Sequence, residues 1–353
     1  MDPTQNYGKS TFPLVSIVLT VYNGIADGLN ECLGSIFQQS FPNIQLVIVD
    51  DCSSDGSSKL SESAVNSIGG EYIRHIVNLG LSKSLNDGIK ASQGEYILIL
   101  HQDCSLLGDN CIRDAIVHLE NESDIDILIG RQKYYFENLN FYQKFIEFRL
   151  GHIYLNTILK EQIGLTENKC DLLKRKTMSK IGFFDEKLRL SGEDQIFSHK
   201  ANELGLKMII SDWPMYSNSL SGENSFRKLI RKEKLYGKYS SPLFFRIYSK
   251  KSRDKIRIHY VKEKITNRFM SMIIAPLLLI SIIFSLLFTN IFFLTPIFIG
   301  LFIRGWFIMR DLKMIKKTVI DLKIGIIRPI LFSIFLDLVY SIYFIYGMVI
   351  IPK

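Results

Sequence analysis

The sequence predicts an α/β fold, a mostly parallel sheet followed by an α-helical transmembrane region. Three observations predict it. Short β-branched runs alternate with helical stretches through the first two thirds of the chain, polar residues finish each run, and the last third turns apolar. Apolar runs without strict alternation belong to strands buried on both faces, as in parallel sheets covered by helices.

The first strand is 15–21, continuous and β-branched. A helix follows at 29–39, a second strand at 46–49, a helix at 85–91 and a third strand at 96–100. In open α/β sheets, ligands bind beyond the carboxyl ends of the strands, so the polar residues after each run are the candidates for chemistry. They are Thr20-Val21-Tyr22-Asn23, then Asp50-Asp51-Cys52-Ser53-Ser54-Asp55-Gly56, then His101-Gln102-Asp103. Three such ends converge on one crevice. No GxGxxG follows the first strand, which argues against a dinucleotide site. Asp50-Asp51 and Asp55-Gly56 also suit ordinary turns. The Asp/Asn spacing and closing Glu of an EF-hand are missing.

Charge is strongly segregated. Residues 1–226 carry 20 Lys+Arg against 29 Asp+Glu, 227–268 carry 15 against 3, and 269–353 carry 8 against 3. The overall +8 therefore describes an acidic head, a basic collar and an apolar tail. An acidic head argues against nucleic acid as a partner, since tracking phosphates needs clustered positive charge. The collar suits the anionic head groups of membrane lipids. Five cysteines form no CxxC pair and suit reduced thiols in a cytosolic domain. The first eleven residues are polar and show no signal-peptide core.

Residues 269–303 run for 35 positions without a charge. As one helix they would reach roughly 50 Å, beyond a hydrocarbon core of about 30 Å. Two spans are therefore expected, about 269–288 and 291–309, turning near Thr289 and Asn290. A third is expected at about 329–350, interrupted by Asp337, which is costly in lipid and should face other helices. Between the second and third, Leu312, Ile315, Val319 and Leu322 recur at helical spacing among lysines, the pattern of an interfacial helix at about 311–323. Basic residues before the first span and after the second place the head on the cytosolic side of the cell membrane. The expected domains are a head over 1–226, a helical collar over 227–268 and a transmembrane region over 269–353.

Four motifs in order resemble the family 2 glycosyltransferases, over about 15–212. Val-Ser-Ile-Val-Leu-Thr-Val-Tyr-Asn is similar to that family's opening strand, and Val-Asp-Asp-Cys-Ser-Ser-Asp-Gly to its second motif. Asn78-Leu-Gly-Leu-Ser-Lys-Ser-Leu-Asn86-Asp-Gly88 with Gly94-Glu-Tyr-Ile-Leu-Ile-Leu resembles its third block. Cys170 to Glu186, followed by Gly192-Glu193-Asp194, resembles its acceptor side. The resemblance implies a Rossmann-like GT-A fold and a nucleotide diphosphate-sugar donor. It implies a donor site drawn from Thr20, Tyr22, Asn23, Asp50 or Asp51, Lys83, Gln102 and Asp103, with Lys83 facing the diphosphate. It also implies Mg²⁺ or Mn²⁺ held by a carboxylate pair. Here the sequence departs, with His101 where the first carboxylate is expected and Asp103 as the second. His101 is read as a ligand, a donor to a ligand or a packed histidine. A second departure is Trp213-Pro-Met-Tyr216-Ser217-Asn218, where the family often supplies a metal-binding histidine.

An inverting transfer needs a carboxylate near the acceptor hydroxyl to take its proton. Asp194 is the candidate base and Glu193 its helper, although both also suit the start of a helix. Arg227 to Tyr239 resembles the basic Tyr-Gly helix of family members that act on lipid carriers. Arg227, Arg231, Lys234 and Lys238 are there the candidates for a lipid or acceptor diphosphate, or for a collar on acidic lipids. The expected function is transfer to a polyprenyl-linked saccharide or surface glycan. The alternatives are a dolichyl-phosphate-like sugar synthase, and a membrane protein carrying an inactive head.

Overall fold

The structure is a computed structural model that describes residues 12–133, 135, 138–146, 166–188, 192–220, 224–247, 280–288 and 327–350, with isolated positions between 277 and 325. The chain divides into two compact units, Met1–Tyr135 with Ile158–Gly222, and Phe136–Thr157 with Glu223–Lys353.

The first unit is built on one eight-stranded sheet. Its strands are β1 (Val15–Val21), β2 (Ile44–Asp50), β3 (Gly70–Arg74), β4 (Tyr96–His101), β5 (Cys104–Leu106), β6 (Ile127–Lys133), β7 (Cys170–Lys174) and β8 (Met208–Asn218). Their spatial order is β3-β2-β1-β4-β7-β6-β8-β5. The first four pair in parallel, and β7 joins β4 antiparallel. All seven residues of β1 are buried, Ser16 and Thr20 included, as in a strand covered on both faces. Val21 pairs with Asp50, and Thr20 pairs with His101. The chain leaves β1 toward β2 on one side and returns to β4 on the other. The carboxyl ends of β1 and β4 therefore form a topological switch point, where open α/β sheets leave a crevice.

Helices α1 (Leu29–Phe37), α2 (Ser57–Ile68), α3 (Leu81–Ala91), α4 (Cys111–Asn121), α5 (Arg175–Ile181) and α6 (Glu193–Glu203) complete this unit. Helix α3 begins four residues earlier than its apolar periodicity indicates. Gly80, at φ 94° and ψ 163°, turns the chain into the helix from a conformation that side chains exclude. Its Gly88 allows contact with the sheet, since a Cβ there would sit 2.6 Å from Val18 Cγ1. The core joins Ile17 and Leu19 of β1, Leu33 of α1, Ile48 of β2, Leu98 of β4 and Ile116 of α4. Cys32, Cys104, Cys111 and Cys170 are buried and Cys52 is half-buried, all as free thiols.

The second unit contains α7 (Phe226–Ile247) and α8 (Ile327–Ile350). They cross at Gly237, where a Cβ would lie 2.5 Å from the Tyr340 carbonyl oxygen. Leu229, Glu233 and Gly237, spaced by four, are the buried stripe of α7 over its described side chains. The buried stripe of α8 runs through Ser333, Asp337, Tyr340, Ser341 and Phe344. Asp337 is fully enclosed, as a carboxyl on an apolar helix requires. A helical turn at 141–146 brings Phe141 and Phe145 against Phe332, with ring centroids 5.8 and 4.7 Å apart. Helix α8 is long and apolar enough to cross a membrane. Residues 280–288 are also helical. The remainder of the span expected at 269–288, nearly all of that at 291–309, the interfacial helix at 311–323 and the collar beyond 247 lie outside the described residues.

Candidate active site

At the switch point lies a cleft of about 360 Å³, lined by Thr20, Val21, Tyr22, Asp27, Asp51, Asn78, Gly80, Leu81, Ser84, His101, Gln102 and Asp103. Of the eleven sequence candidates in this unit, including Glu193 and Asp194, six line it: Thr20, Tyr22, Asp51, His101, Gln102 and Asp103. They come from three strand ends that the chain holds in register.

The two adjacent aspartates divide their work. Asp50 is fully buried and faces away from the cleft. It accepts hydrogen bonds from the Ser53 amide at 2.9 Å, the Tyr72 hydroxyl at 3.0 Å and the Ser58 hydroxyl. Burial pushes its carboxyl up, but the bonds from Ser53, Ser58 and Tyr72 outweigh that and hold it below the usual carboxylate range. Asp51 turns to the cleft. Its Oδ1 accepts from the Leu79 amide at 2.7 Å and His75 Nδ1 at 2.8 Å, and its Oδ2 from the Gly80 amide at 2.8 Å. The β3–α3 loop, which supplies Asn78 and Gly80 to the cleft, is thereby fastened to the end of β2.

Asn23, at φ 48°, serves the neighbouring loop. Its Oδ1 accepts from the Ser54 amide at 2.9 Å, and its own amide donates to Ser53 Oγ at 3.0 Å. Asp55 accepts from Ser57 and from the Ile25 amide at 3.1 Å. Turn-forming hydrogen bonds and cleft lining therefore fall to different residues of one motif. Gln102 clasps the backbone of Tyr22, accepting from its amide at 2.8 Å and donating to its carbonyl at 3.2 Å. This leaves the Tyr22 ring 49% exposed on the cleft, an apolar face against which a flat ring can stack. Lys83 does not line the cleft. Its ammonium pairs with Asp87 one turn along α3.

His101 ends β4, its amide donating to the Lys169 carbonyl at 3.0 Å. The Asp103 carbonyl accepts from the Ser219 amide at 2.7 Å, which ties the residue after β8 to the end of β4. Among the described residues no group of three His, Cys, Asp or Glu gathers to hold a metal ion. The lining nevertheless bears on one. Among the described residues it presents Asp27, Asp51 and Asp103 and no Lys or Arg, so these carboxylates meet an entering diphosphate with like charge unless a cation accompanies it. An imidazole and a carboxylate, with phosphate oxygens and water completing the shell, form a donor set that suits Mn²⁺ and, through Asp103, Mg²⁺.

Glu193 and Asp194 do not line this cleft. They open α6 behind Gly192, whose φ of 95° ends the preceding loop. Glu193 is buried, and burial together with the Asp194 charge pushes its carboxyl well up. Asp194 is half-buried and accepts from the Gln195 amide at 2.8 Å. The loop before β7 sits beside the carboxyl end of β4, and Thr166 of that loop donates its amide to Ser198 of α6 at 2.9 Å. Asp171, buried on β7 and bonded to Thr166, has its carboxyl pushed up by burial and by Glu167 and Asp194. Helix α6 is therefore tied at Ser198 to the loop that runs beside the end of β4. The Gly-Phe-Phe segment is fixed there too: Asn86 of α3 exchanges two 2.9 Å bonds with the Phe184 backbone, and Phe184 stacks on Phe197 of α6 at 4.9 Å.

Sequence reasoning missed Asp27 and His75. Asp27 sits on a short 3₁₀ turn (Ile25–Asp27) and has no motif of its own. His75 owes its role to carboxylates 24 and 12 residues distant, a relation that no local pattern displays.

In the second unit, Arg227 and Arg231 lie exposed on α7. Lys234 rests over the Tyr343 ring at 5.1 Å, and Lys238 over Tyr239 and Tyr346 at 5.3 and 5.9 Å. The four collar candidates thus split into two exposed arginines and two lysines seated on tyrosines.

The sheet, with its cleft at the switch point, has the GT-A fold. The mannosyltransferase PcManGT from Pyrobaculum calidifontis, solved with GDP-Man and Mn²⁺, matches at a TM-score of 0.59 over 99% of this chain and 93% of its own, with 14% identity. Residues 16–182 match the family model described as Glycosyl transferase family 2. These residues form a glycosyltransferase family 2 domain. Glycosyltransferase GlyG of Streptococcus pneumoniae serotype 4 is 30% identical over 155 residues, 43% of this chain and 50% of GlyG, so the match spans half of that relative. An uncharacterized glycosyltransferase of Methanocaldococcus jannaschii, MJ1057, is 26% identical over 240 residues, 66% of this chain and 80% of its own.

Proposed function

We propose that the chain transfers a sugar with inversion from a nucleotide diphosphate-sugar to a lipid-linked saccharide or surface-glycan acceptor. The observation that carries this is the convergence of Tyr22, Asp51 and Asp103 from three adjacent strand ends on one cleft. In this reading Tyr22 and Asp51 take the nucleobase, while Asp103 and His101 hold a divalent cation. When bound, that cation supplies positive charge to the departing diphosphate.

Asp194 takes the proton of the acceptor hydroxyl as that oxygen attacks the anomeric carbon from the face opposite the diphosphate. Glu193, with its carboxyl pushed up, is held as a neutral acid in the helix start, which leaves Asp194 as the carboxylate there. A saccharide acceptor fits the Gly182-Phe183-Phe184 segment, whose Phe183 is 48% exposed and offers a face for a sugar ring.

The apolar α8 and the basic α7 support a membrane setting for this chemistry. The sequence pattern of three spans with the basic collar supports a catalytic unit at the cytosolic face of the cell membrane, next to lipid carriers. The test uses the full chain in detergent, supplied with UDP-, GDP- and dTDP-sugars with Mg²⁺, with Mn²⁺ and with EDTA. Metal-dependent hydrolysis of one donor is expected, and its absence in folded protein would leave a glycosyltransferase-like head without turnover. With an acceptor in hand, Asp194→Asn should lose at least about a hundredfold in transfer while donor binding is retained. Near-normal transfer would remove Asp194 from the mechanism.

A further inference from the structure

Helix α8 is long and apolar enough to cross a bilayer, but its neighbour α7 is too highly charged to follow it. The two run side by side in the same direction. Phe226 lies 5.9 Å from Phe332 and 5.8 Å from Phe335, Lys234 rests over Tyr343, and Lys238 over Tyr346. From Phe226 to Lys238 the pairing extends roughly 18 Å, at about 1.5 Å per residue. The middle of α8, where the Tyr340 carbonyl meets Gly237, therefore stands level with the stretch of α7 that carries Arg231, Lys232, Lys234 and Lys238. Were α8 a span, those cations would sit near the centre of the hydrocarbon core, about 15 Å from either head-group layer. Long stems reach an interface only from near a helix end, so that depth is closed to them.

The two faces of α8 agree with this. Toward α7 it buries Ser333, Asp337 and Ser341, polar at every fourth residue, and α7 answers with the buried Glu233. On the opposite side Leu331, Phe335, Ile342, Ile345 and Val349 recur at helical spacing as one exposed apolar stripe. Such a stripe beside a cationic helix fits the boundary between head groups and acyl chains. Given the membrane setting proposed above, we infer that α8 does not cross the bilayer. It lies with α7 along an anionic surface, its outer stripe in the acyl boundary and the α7 cations among the head groups. Tyr343 and Tyr346, each under a lysine, border the stripe at the level that aromatic rings and cations favour. The span expected from the sequence at about 329–350 is thereby replaced, because hydropathy weighs a helix without the neighbour that packs on it. The transfer reaction does not enter, so either reading can fail alone.

The experiment uses the full chain in nanodiscs of phosphatidylcholine and phosphatidylglycerol, carrying Leu331→Trp, Ile342→Trp or Val349→Trp. Fluorescence quenching by acyl chains brominated near the head group or near the bilayer centre is read against the native chain and its two tryptophans. Shallow bromines should quench each of the three at least about twofold more than deep ones, since a surface helix sinks only about 5–10 Å. Ile342→Trp quenched mainly by deep bromines, with the other two shallow, would show a span and overturn the inference. No added quenching at any of the three would show the stripe covered by protein and would overturn it equally. With phosphatidylglycerol omitted the shallow quenching should weaken, and unchanged quenching would overturn the part given to the α7 cations. Donor hydrolysis, measured on the same discs, judges the transferase reading separately.

Discussion

At the scale of single residues, the Asp50-Asp51 pair shows how two identical side chains in sequence come to opposite ends. Strand β2 finishes at Asp50, whose side chain turns into the space between β3 and α2, while Asp51 begins the loop and turns to the cleft. Replacing Asp51 by Asn keeps size but offers a neutral amide to three donors. We expect donor affinity to fall about tenfold or more, read by titration with the nucleotide that binds the native chain. Replacing Asp50 by Ala strands the Ser53 amide and the hydroxyls of Ser58 and Tyr72. The cost should be on the order of 3 kcal/mol of stability, read as a lowered midpoint in denaturant, with the affinity of surviving folded protein little changed. Acid should find the same residue. A carboxyl held below its usual range stabilises the fold above its unfolded value, and that contribution disappears as pH falls through the folded one. The pH dependence of unfolding below about pH 4 should therefore be shallower in Asp50→Ala than in the native chain.

At the scale of elements, α6 joins the sheet's architecture to a chemical demand. Its first turn carries two carboxyls where a helix offers bare amides, yet only Asp194 keeps access to solvent. Glu193, pushed up by burial and by Asp194, costs stability as pH rises above the ordinary carboxyl value, because the folded state holds the proton longer than the unfolded chain does. Glu193→Gln removes that dependence. The variant should gain on the native chain between about pH 4.5 and neutrality, a trend that thermal melts across that range would reveal or refute. The strands behind this arrangement were readable in the sequence: 15–21 matched to the residue, and 46–49 and 96–100 fell inside longer strands. Continuous β-branched runs carry their own signal. Helix α3 was read short because its buried face includes Ser82, Ser84 and Asn86, polar residues whose partners are Leu188, Gly80 and Phe184. A hydrophobic pattern cannot register a helix face that packs through hydrogen bonds. The position of Lys83 was similarly hidden, since Asp87 four residues on competes for it locally.

At the scale of the molecule, the second unit depends on a place where backbone meets backbone. In the second unit that place is Gly237, where α7 touches the Tyr340 carbonyl of α8. A Leu there must drive the helices apart. Gly237→Leu should therefore raise protease sensitivity between α7 and α8; sensitivity equal to that of the native chain would show that this contact does not hold the two helices together. In the first unit the thiols occupy the equivalent interior. Burial raises all four enclosed cysteines, Cys111 to about 12, so in the folded state almost none is thiolate at neutral pH. Cys52, at φ 68° on the loop beside Asp51, is the half-buried fifth. The protein thus contains its own clock for breathing. A thiol-reactive dye should mark Cys52 promptly and the other four only as fast as the sheet opens around them. A nucleotide that braces the β1, β2 and β4 ends should slow those four labelling steps, turning five ordinary cysteines into a direct report of how firmly the loaded enzyme is closed.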